Sequence, residues 1–315
     1  MKKTLLTLAS VLLLSVGAMA QTADEVNTKF NEAAALINEK KYADAITVLE
    51  QTIEMANKSE DDCLATMTEA QTYLTRCYRN LGLQDASARR FDEAAAKLTK
   101  AKELAEMFDP GSVRQLEGVL SKVYKAKASV ALKAEDFATA AKSYEQAIEA
   151  NPKDTEAMLL AAQCYGKQGD FDMAGKFYTS VIDLGKTHSK YAEAANTAKE
   201  AYISDLLSSA VKAGEYSVAK EHINKALTID PTSATANMLL IQTANNAKDF
   251  DTVLASGDAA IEAQTEPEAK SNASFLVAVA AQTKGDKAKA IKYYQQVTSG
   301  TNAETAKTQI AALSK

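Results

Sequence analysis

The sequence predicts an all-α protein built as a stack of helix pairs, and three observations support this fold class. A sequence motif recurs along the chain: an aromatic residue, two polar or small residues and an alanine, followed by an apolar helical stripe. Proline is scarce at 4 of 315 residues, and tryptophan is absent. No sustained alternation of period two indicates a strand. Self-similarity at a period of about 34 residues is typical of helical solenoids.

The copies of this motif begin at intervals of 49, 46, 34, 45, 34 and 37 residues. Their leading residues are Tyr42, Phe91, Phe137, Phe171, Tyr216, Phe250 and Lys287. Three of these intervals exceed the period by more than ten residues. We expect the extra length in longer helices or interhelical segments, at 57–62, 83–88, 107–114 and 185–196.

The unit at 155–184 shows why each copy predicts two helices. Its first stripe, at spacings of three and four residues, consists of Met158, Ala161, Ala162 and Tyr165. Its second stripe consists of Phe171, Ala174, Tyr178 and Val181. Gly169-Asp170 separates them, because glycine ends a helix readily and aspartate favours the start of the next. Neither helix can bury its stripe alone, so we expect neighbouring pairs to complete one hydrophobic core.

Turn signals mark the boundaries of the other elements. Asn151-Pro152 and Asp230-Pro231 end second helices, since proline cannot continue a helix. A turn is predicted at 108–111 and another at 185–188. The last segment, 301–315, is predicted to form a helix with a polar face that caps the stack.

The first twenty residues have the pattern of a secretory signal peptide. Lys2 and Lys3 precede a short apolar run, and Ala18-Met19-Ala20 resembles a cleavage site. We expect cleavage after Ala20 and export to the periplasm, with an uncleaved anchor helix as the alternative. No cysteine lies near this junction, so a lipoprotein anchor is not expected.

Charge argues against two classes of partner. The chain has 36 basic and 41 acidic residues, a net charge of −5. An acidic protein lacks the basic face that binding to nucleic acid requires. The same balance disfavours binding to anionic membranes, and no later apolar run is long enough to span a bilayer.

The repeated motif resembles the tetratricopeptide repeat. The resemblance is carried by GDFDMA at 169–174, GEYSVA at 214–219 and EDFATA at 135–140. The residues that follow these motifs also match: Ala147 with Pro152, and Ala226 with Pro231. First-helix positions that match are Leu74, Tyr78 and Gly82, then Ala162, Tyr165 and Gly169. The chain departs from the family in lacking tryptophan, and at Val253, Gly257 and Lys287.

The resemblance covers most of residues 24–300 and implies a right-handed superhelical solenoid. We expect about seven helix hairpins over 21–300, followed by the capping helix. In similar proteins the first helices of successive repeats line a concave groove. That groove takes an extended peptide or a helix of another protein.

No catalytic or metal-binding motif stands out. The chain has no H-E-x-x-H, G-x-S-x-G, phosphate loop or Rossmann glycine pattern. Cys63, Cys77 and Cys164 are interpreted as core thiols, and His188 and His222 as solvated or half-buried histidines. We therefore expect a non-enzymatic protein without cofactor or metal. The alternative is a hydrolase whose site lies within 107–134 or 185–212, where His188 is the only candidate for a catalytic histidine.

The helical register predicts which residues line the groove. They are Arg76, Arg79, Lys122, Lys125, Ser129, Leu159, Gln163, Lys167, Ser204, Lys212, Met238, Gln242 and Asn245. The first part of this set is basic, which favours an acidic or C-terminal peptide segment. The alternative is a solvated helix face. The family's carboxylate-clamp pattern is not reproduced, because Ser129 stands where asparagine is expected.

Two functions remain open at this point. The preferred interpretation is a protein-interaction scaffold of the cell envelope whose partner is a protein or peptide. The alternative is a module that binds a solute or a glycan, which would need a closed pocket with convergent polar groups. The sequence leaves the oligomeric state open.

Overall fold

A computed structural model describes residues 22–59 and 61–315. In these ranges fifteen α-helices follow one another, two of them preceded by short 3-10 turns, and no strand occurs. The helices are α1 (Ala23–Asn38), α2 (Tyr42–Lys58), α3 (Leu64–Ser87), α4 (Phe91–Phe108), α5 (Val113–Lys133), α6 (Phe137–Ala150), α7 (Thr155–Gln168), α8 (Phe171–Thr187), α9 (Ala192–Lys212), α10 (Tyr216–Ile229), α11 (Ala234–Asn246), α12 (Phe250–Glu262), α13 (Pro267–Thr283), α14 (Lys287–Tyr294) and α15 (Ala303–Leu313). The 3-10 turns are Pro110–Ser112 and Ser189–Tyr191.

The element order agrees with the sequence prediction. In the described residues fourteen helices, α1 to α14, precede α15, the number that seven predicted helix hairpins require. The all-α class is therefore confirmed for the described residues. The extra length in the repeats lies partly in long first helices, of 24 residues in α3 and 21 residues in α5 and α9.

The chain divides into two compact units. Unit 1 contains the described residues up to Lys127 together with 149–151, and unit 2 contains 128–148 and 152–315. In unit 1, helices α1 to α4 each pack against the next. Leu49, Leu74 and Cys77 lie in one of its cores. Leu98 and Leu116 lie in another.

Unit 2 repeats the same arrangement from α7 onwards, with each helix packed against its successor. Tyr178 and Val181 centre its first core. The last core contains Val277 and Tyr293, and Ile310 of α15 packs against it. Ala174 is completely buried, as expected for a small residue at a close crossing of two helices.

The turn between α7 and α8 shows how the sequence sets a helix boundary. Gly169 adopts a left-handed conformation, with φ of 81°, and ends α7. The Asp170 side chain then accepts a hydrogen bond of 3.0 Å from the backbone N–H of Met173. This caps the first turn of α8, because backbone N–H groups there have no partner within the helix.

Gly257, a departure from the family pattern, has a packing reason. A Cβ atom at this position of α12 would lie 2.5 Å from Cγ2 of Val277 on α13. Glycine therefore allows α12 and α13 to approach more closely than any larger residue would. The two helices belong to the last core of unit 2.

The predicted signal peptide, 1–20, lies outside the described residues. Within 22–59 and 61–315, every helix is too short or too polar to cross a bilayer.

Candidate functional site

Groups that could support catalysis or metal binding are dispersed in the described residues. No cluster of three His, Cys, Asp or Glu side chains there could hold a metal ion. Cys63, Cys77 and Cys164 are buried and free. Burial raises the pKa of the Cys77 thiol to about 11, which keeps it protonated and unreactive at neutral pH. His188 is exposed and directly follows α8; the turn predicted at 185–188 is wrong for 185–187, which still belong to the helix.

The predicted basic lining in unit 1 is partly engaged by neighbouring side chains. Arg76 is exposed, and its guanidinium lies 5.5 Å from the centre of the Tyr73 ring. Arg79 is half-buried, and its Nη1 donates a 3.4 Å hydrogen bond to Gln115. On α5, Lys122 is exposed, while Lys125 and Ser129 are half-buried. Tyr73 and Gln115 are neutral, so Arg76 and Arg79 keep their positive charge in these contacts.

The predicted lining in unit 2 surrounds a cavity of about 610 Å³ that we call the polar cavity. Helix α7 contributes Gln163, Lys167 and the edge of Gly166. Helix α9 contributes Asp205, Ser208, Ser209 and Lys212. Three of the predicted groove residues, Gln163, Lys167 and Lys212, thus lie in one site.

Gly166 leaves space for an acidic side chain that lines the polar cavity. A Cβ atom at Gly166 would lie 2.8 Å from Oδ2 of Asp205. That carboxylate oxygen also accepts a 2.9 Å hydrogen bond from the Tyr178 hydroxyl. The absence of a side chain at Gly166 therefore leaves room for the carboxylate between α7 and α9.

Lys167 and Lys212 supply the positive charge of the polar cavity. Both side chains are exposed, and neither forms an ion pair with another described residue. Some other lysines of unit 2 are paired, such as Lys220 with Asp249 at 2.9 Å. The two cavity lysines are therefore available to an external carboxylate.

A second cavity of about 980 Å³ adjoins the first, and we call it the apolar trough. It shares Ser208 and Lys212 with the polar cavity. Its apolar walls are Ile203, Leu207 and Val211 of α9, with Met238 and Leu239 of α11. The predicted residues Ser204 and Gln242 also line it.

The remaining predicted residues lie beside these two cavities. Leu159 is half-buried on α7. Asn245 is half-buried on α11 and does not line the trough. Its neighbour Asn246 lines a smaller cavity of about 390 Å³, which Val211 also lines.

Sequence reasoning missed the apolar wall of the trough. Val211 is the most exposed large apolar side chain among the described residues, at 68%. It lies four and eight residues after Leu207 and Ile203, which places all three on one stripe of α9. This spacing is readable in the sequence, but Leu207 is also buried and resembles a core residue.

Three solved structures are similar to this chain at low sequence identity and low TM-score. The MamA protein is 18% identical, with a TM-score of 0.32, over 56% of this chain and 89% of its own. A tetratricopeptide repeat protein from Parabacteroides merdae is 12% identical, with a TM-score of 0.27, over 92% of this chain and 99% of its own. YrrB, described as having an unusual peptide-binding site, is 16% identical, with a TM-score of 0.30, over 56% of this chain and 83% of its own.

Two family models match the sequence directly. One tetratricopeptide-repeat model matches residues 125–189, and a second matches 271–299. No curated protein matches the chain. The first matched segment contains all of α6, α7 and α8, and the second contains most of α13 and all of α14. Residues 125–189 and 271–299 are therefore identified as tetratricopeptide repeats.

Proposed function

We propose that this protein is an exported, non-enzymatic scaffold that holds a segment of a partner protein in unit 2. The repeat architecture itself supports a role in protein–protein interaction. The proposed binding surface combines the polar cavity and the apolar trough. It lies on α7, α9, α11 and the start of α13, which are first helices of successive repeats.

The observation that carries the proposal is the junction of the two cavities. Ser208 and Lys212 line both, so one ligand can occupy the two spaces without leaving the surface. The polar part offers hydroxyl, amide and ammonium groups, and the trough offers apolar side chains. A protein segment presents both kinds of chemistry, and such mixed surfaces are typical of protein interfaces.

Unit 2 also offers positive charge to the acidic partner predicted from the sequence. Lys167 and Lys212 are exposed and form no ion pair with a described residue. A carboxylate of the partner at Lys167 and Lys212 would form charge-assisted hydrogen bonds there. We therefore assign this contact to the polar cavity.

Crosslinking in intact cells, followed by mass spectrometry, tests the binding surface. The wild-type protein is expected to crosslink to one or a few defined partners, and Met238→Glu is expected to lose them. Met107→Glu serves as the matched control, because Met107 is an exposed methionine of unit 1 outside the site. Equal crosslinking by both variants would reject this surface as the binding site.

The proposed location rests on the sequence of the first twenty residues. A cleaved signal peptide would place the protein in the periplasm, where it would organise a complex of the cell envelope. N-terminal sequencing of protein from fractionated cells tests this. We expect a periplasmic protein that begins at Gln21. A cytoplasmic protein that retains Met1 or Lys2 would contradict export.

A further inference from the structure

A third cavity of unit 2, of about 390 Å³, adjoins the proposed binding surface, and we call it the edge pocket. Its lining includes Val211, Glu215, Tyr216, Ala219, Leu239 and Asn246. We propose that the edge pocket binds a basic side chain, lysine or arginine, of the partner segment. This inference rests on the function proposed above and adds a residue that the partner must carry.

The edge pocket is continuous with the apolar trough but lies partly on a second helix. Val211 and Leu239 line both spaces, so a side chain of a segment in the trough can enter the pocket. Glu215, Tyr216 and Ala219 belong to the first turns of α10, the second helix of its repeat. The pocket is therefore distinct from the lining that first helices alone provide.

The walls of the edge pocket suit the aliphatic part of a long side chain. Val211 is 68% exposed, Leu239 is half-buried and Ala219 is buried. Lysine and arginine pack their methylene groups on such apolar surface while the charged end reaches polar groups. Ligand pockets usually have volumes of about 300 to 1000 Å³, so the edge pocket suits one side chain better than a larger group.

The charge of the edge pocket is negative. Glu215 is exposed, and it forms no ion pair with a residue that the structure describes. No described basic residue lines the pocket, although Lys212 and Lys248 are each next in the chain to a residue that does. The nearby Lys220 is already paired with Asp249 at 2.9 Å. The Glu215 carboxylate is therefore available to a cation from outside.

Helix ends add to this charge. The last turns of α9 and α11 both line the pocket, through Val211 and Asn246, and the C-terminal end of a helix carries a partial negative charge. The N-terminal end of α10 carries a partial positive charge, which the full charge of Glu215 at its N-cap position exceeds. The sum of these charges favours a cation.

Two neutral side chains offer further acceptors to the charged end of the occupant. The Tyr216 hydroxyl donates its hydrogen to Asp249 over 2.7 Å, so its oxygen can only accept another hydrogen bond. The exposed Asn246 can accept through its amide oxygen. An ammonium or guanidinium group has three or five N–H donors, and these acceptors complement them.

The position of the edge pocket predicts a sequence pattern in the partner. Lys212, the proposed contact of an acidic residue, and Glu215 are three residues apart, so their Cα atoms are at most about 11 Å from each other. The acidic residue and the basic residue of the partner should therefore lie close together, beside the apolar residues that occupy the trough.

Titration with n-propylguanidinium, which has the end group of arginine, tests the pocket directly. In NMR spectra of the protein labelled with nitrogen-15, we expect amide signals of 211–219 and 243–247 to shift. The neutral n-propylurea should shift them much less. Glu215→Gln should raise the dissociation constant of n-propylguanidinium at least about threefold, because the ion pair is lost.

Glu262→Gln is the matched control, because Glu262 is an exposed glutamate of α12 outside the three cavities. It should bind n-propylguanidinium as the wild type does. Circular dichroism of both variants confirms that they are folded. Equal shifts with n-propylurea, or equal binding by Glu215→Gln and the wild type, would overturn the inference.

A cycle of protein and peptide substitutions tests the same contact in a longer ligand. The peptides come from a phage-displayed random library and are kept if Met238→Glu abolishes their binding. We expect them to share a lysine or arginine. Its replacement by norleucine should weaken binding to the wild type about three- to tenfold, and to Glu215→Gln less than about twofold. Glu262→Gln should show the wild-type loss.

The remaining outcomes separate this inference from the function on which it rests. Peptides that depend on Met238 but lack a basic residue, or that lose equal affinity on Glu215→Gln, would overturn the inference and leave the binding surface intact. A failure to select any peptide that depends on Met238 would count against the binding surface, and the n-propylguanidinium titration would then decide for or against the edge pocket.

Discussion

The hydroxyl of Tyr178 on α8 donates a 2.9 Å hydrogen bond to Oδ2 of Asp205 on α9. This bond joins the second helix of one repeat to the first helix of the next, directly beneath the polar cavity. Burial, with a further contribution from the Asp205 charge, raises the pKa of Tyr178. The phenol therefore stays protonated and continues to donate at every physiological pH.

We expect Tyr178→Phe to lower the free energy of unfolding by about 1 to 2 kcal/mol, because Asp205 loses a donor in a half-buried position. A double-mutant cycle with Asp205→Ala, measured by urea denaturation, should give a coupling energy of about 1 kcal/mol. Tyr191→Phe is the control, and its effect should be within about 0.5 kcal/mol. A coupling energy of zero would show that the bond does not stabilise the junction.

Four non-glycine residues that precede second helices have left-handed backbones: Lys40, Arg89, Glu135 and Lys248, with φ between 57° and 59°. Gly169 holds the equivalent position before α8. Left-handed backbone costs an L-residue about 1 kcal/mol, while glycine loses about 0.5 kcal/mol more chain entropy. We therefore expect Lys248→Gly to stabilise the protein by about 0.5 kcal/mol in thermal denaturation.

The reverse change at Gly169 provides the matched control for that prediction. A Cβ atom at Gly169 would meet no atom within 4 Å, so Gly169→Ala tests the backbone conformation alone. By the same difference with opposite sign, it should destabilise the protein by about 0.5 kcal/mol. If both substitutions shift the melting temperature in the same direction, left-handed strain is not the cause.

Close approach of α12 and α13 at Gly257 makes this position intolerant of larger residues. We expect Gly257→Ala to cost about 1 to 3 kcal/mol, since the new methyl group would overlap Val277. Val277→Ala removes the methyl groups that would clash. In a Val277→Ala background, Gly257→Ala should therefore lower the free energy of unfolding by less than it does in the wild type. Additive losses in urea denaturation would argue that the two helices do not touch here.

Acid should weaken the link between α10 and α12. Hydrogen bonds from Thr252, Lys220 and Tyr216 hold the pKa of Asp249 well below its usual range. A depressed carboxyl pKa contributes stability that is fully present above the unfolded-state pKa of about 3.9 and is lost as the pH falls further.

We therefore expect the melting temperature of Asp249→Asn to decrease less than that of the wild type between about pH 4 and pH 2. Asp44→Asn is the control, because Asp44 is exposed and accepts no hydrogen bond from a described residue. It should leave the acid profile unchanged. An Asp249→Asn profile that follows the wild-type curve would mean that other carboxyl groups control acid stability.

The fold could be predicted from the sequence because its signals are local and repeated. Gly169-Asp170, Pro152 and Pro231 each mark a helix boundary within a few residues. The stripe of Ala174, Tyr178 and Val181 appears in the core as expected. Such signals depend on helix geometry and on turn chemistry, which a single sequence contains.

The binding surface could be predicted only in part, because it depends on distances between helices. Gln163, Lys167 and Lys212 meet in one cavity, but neither the spacing nor the composition shows how close α7 and α9 lie. Arg79 illustrates the opposite case. Its register indicates an open lining, while Gln115 of α5 is close enough to engage it.

A photo-crosslinking amino acid at Ser208 tests the central claim most directly, because Ser208 lines both the polar cavity and the apolar trough. The control position is Ser180, an exposed serine on second helix α8. We predict that irradiation of intact cells joins a partner protein to the Ser208 variant and not to the Ser180 variant. Equal products at both positions, or a partner only at Ser180, would contradict a binding site on the first helices of unit 2.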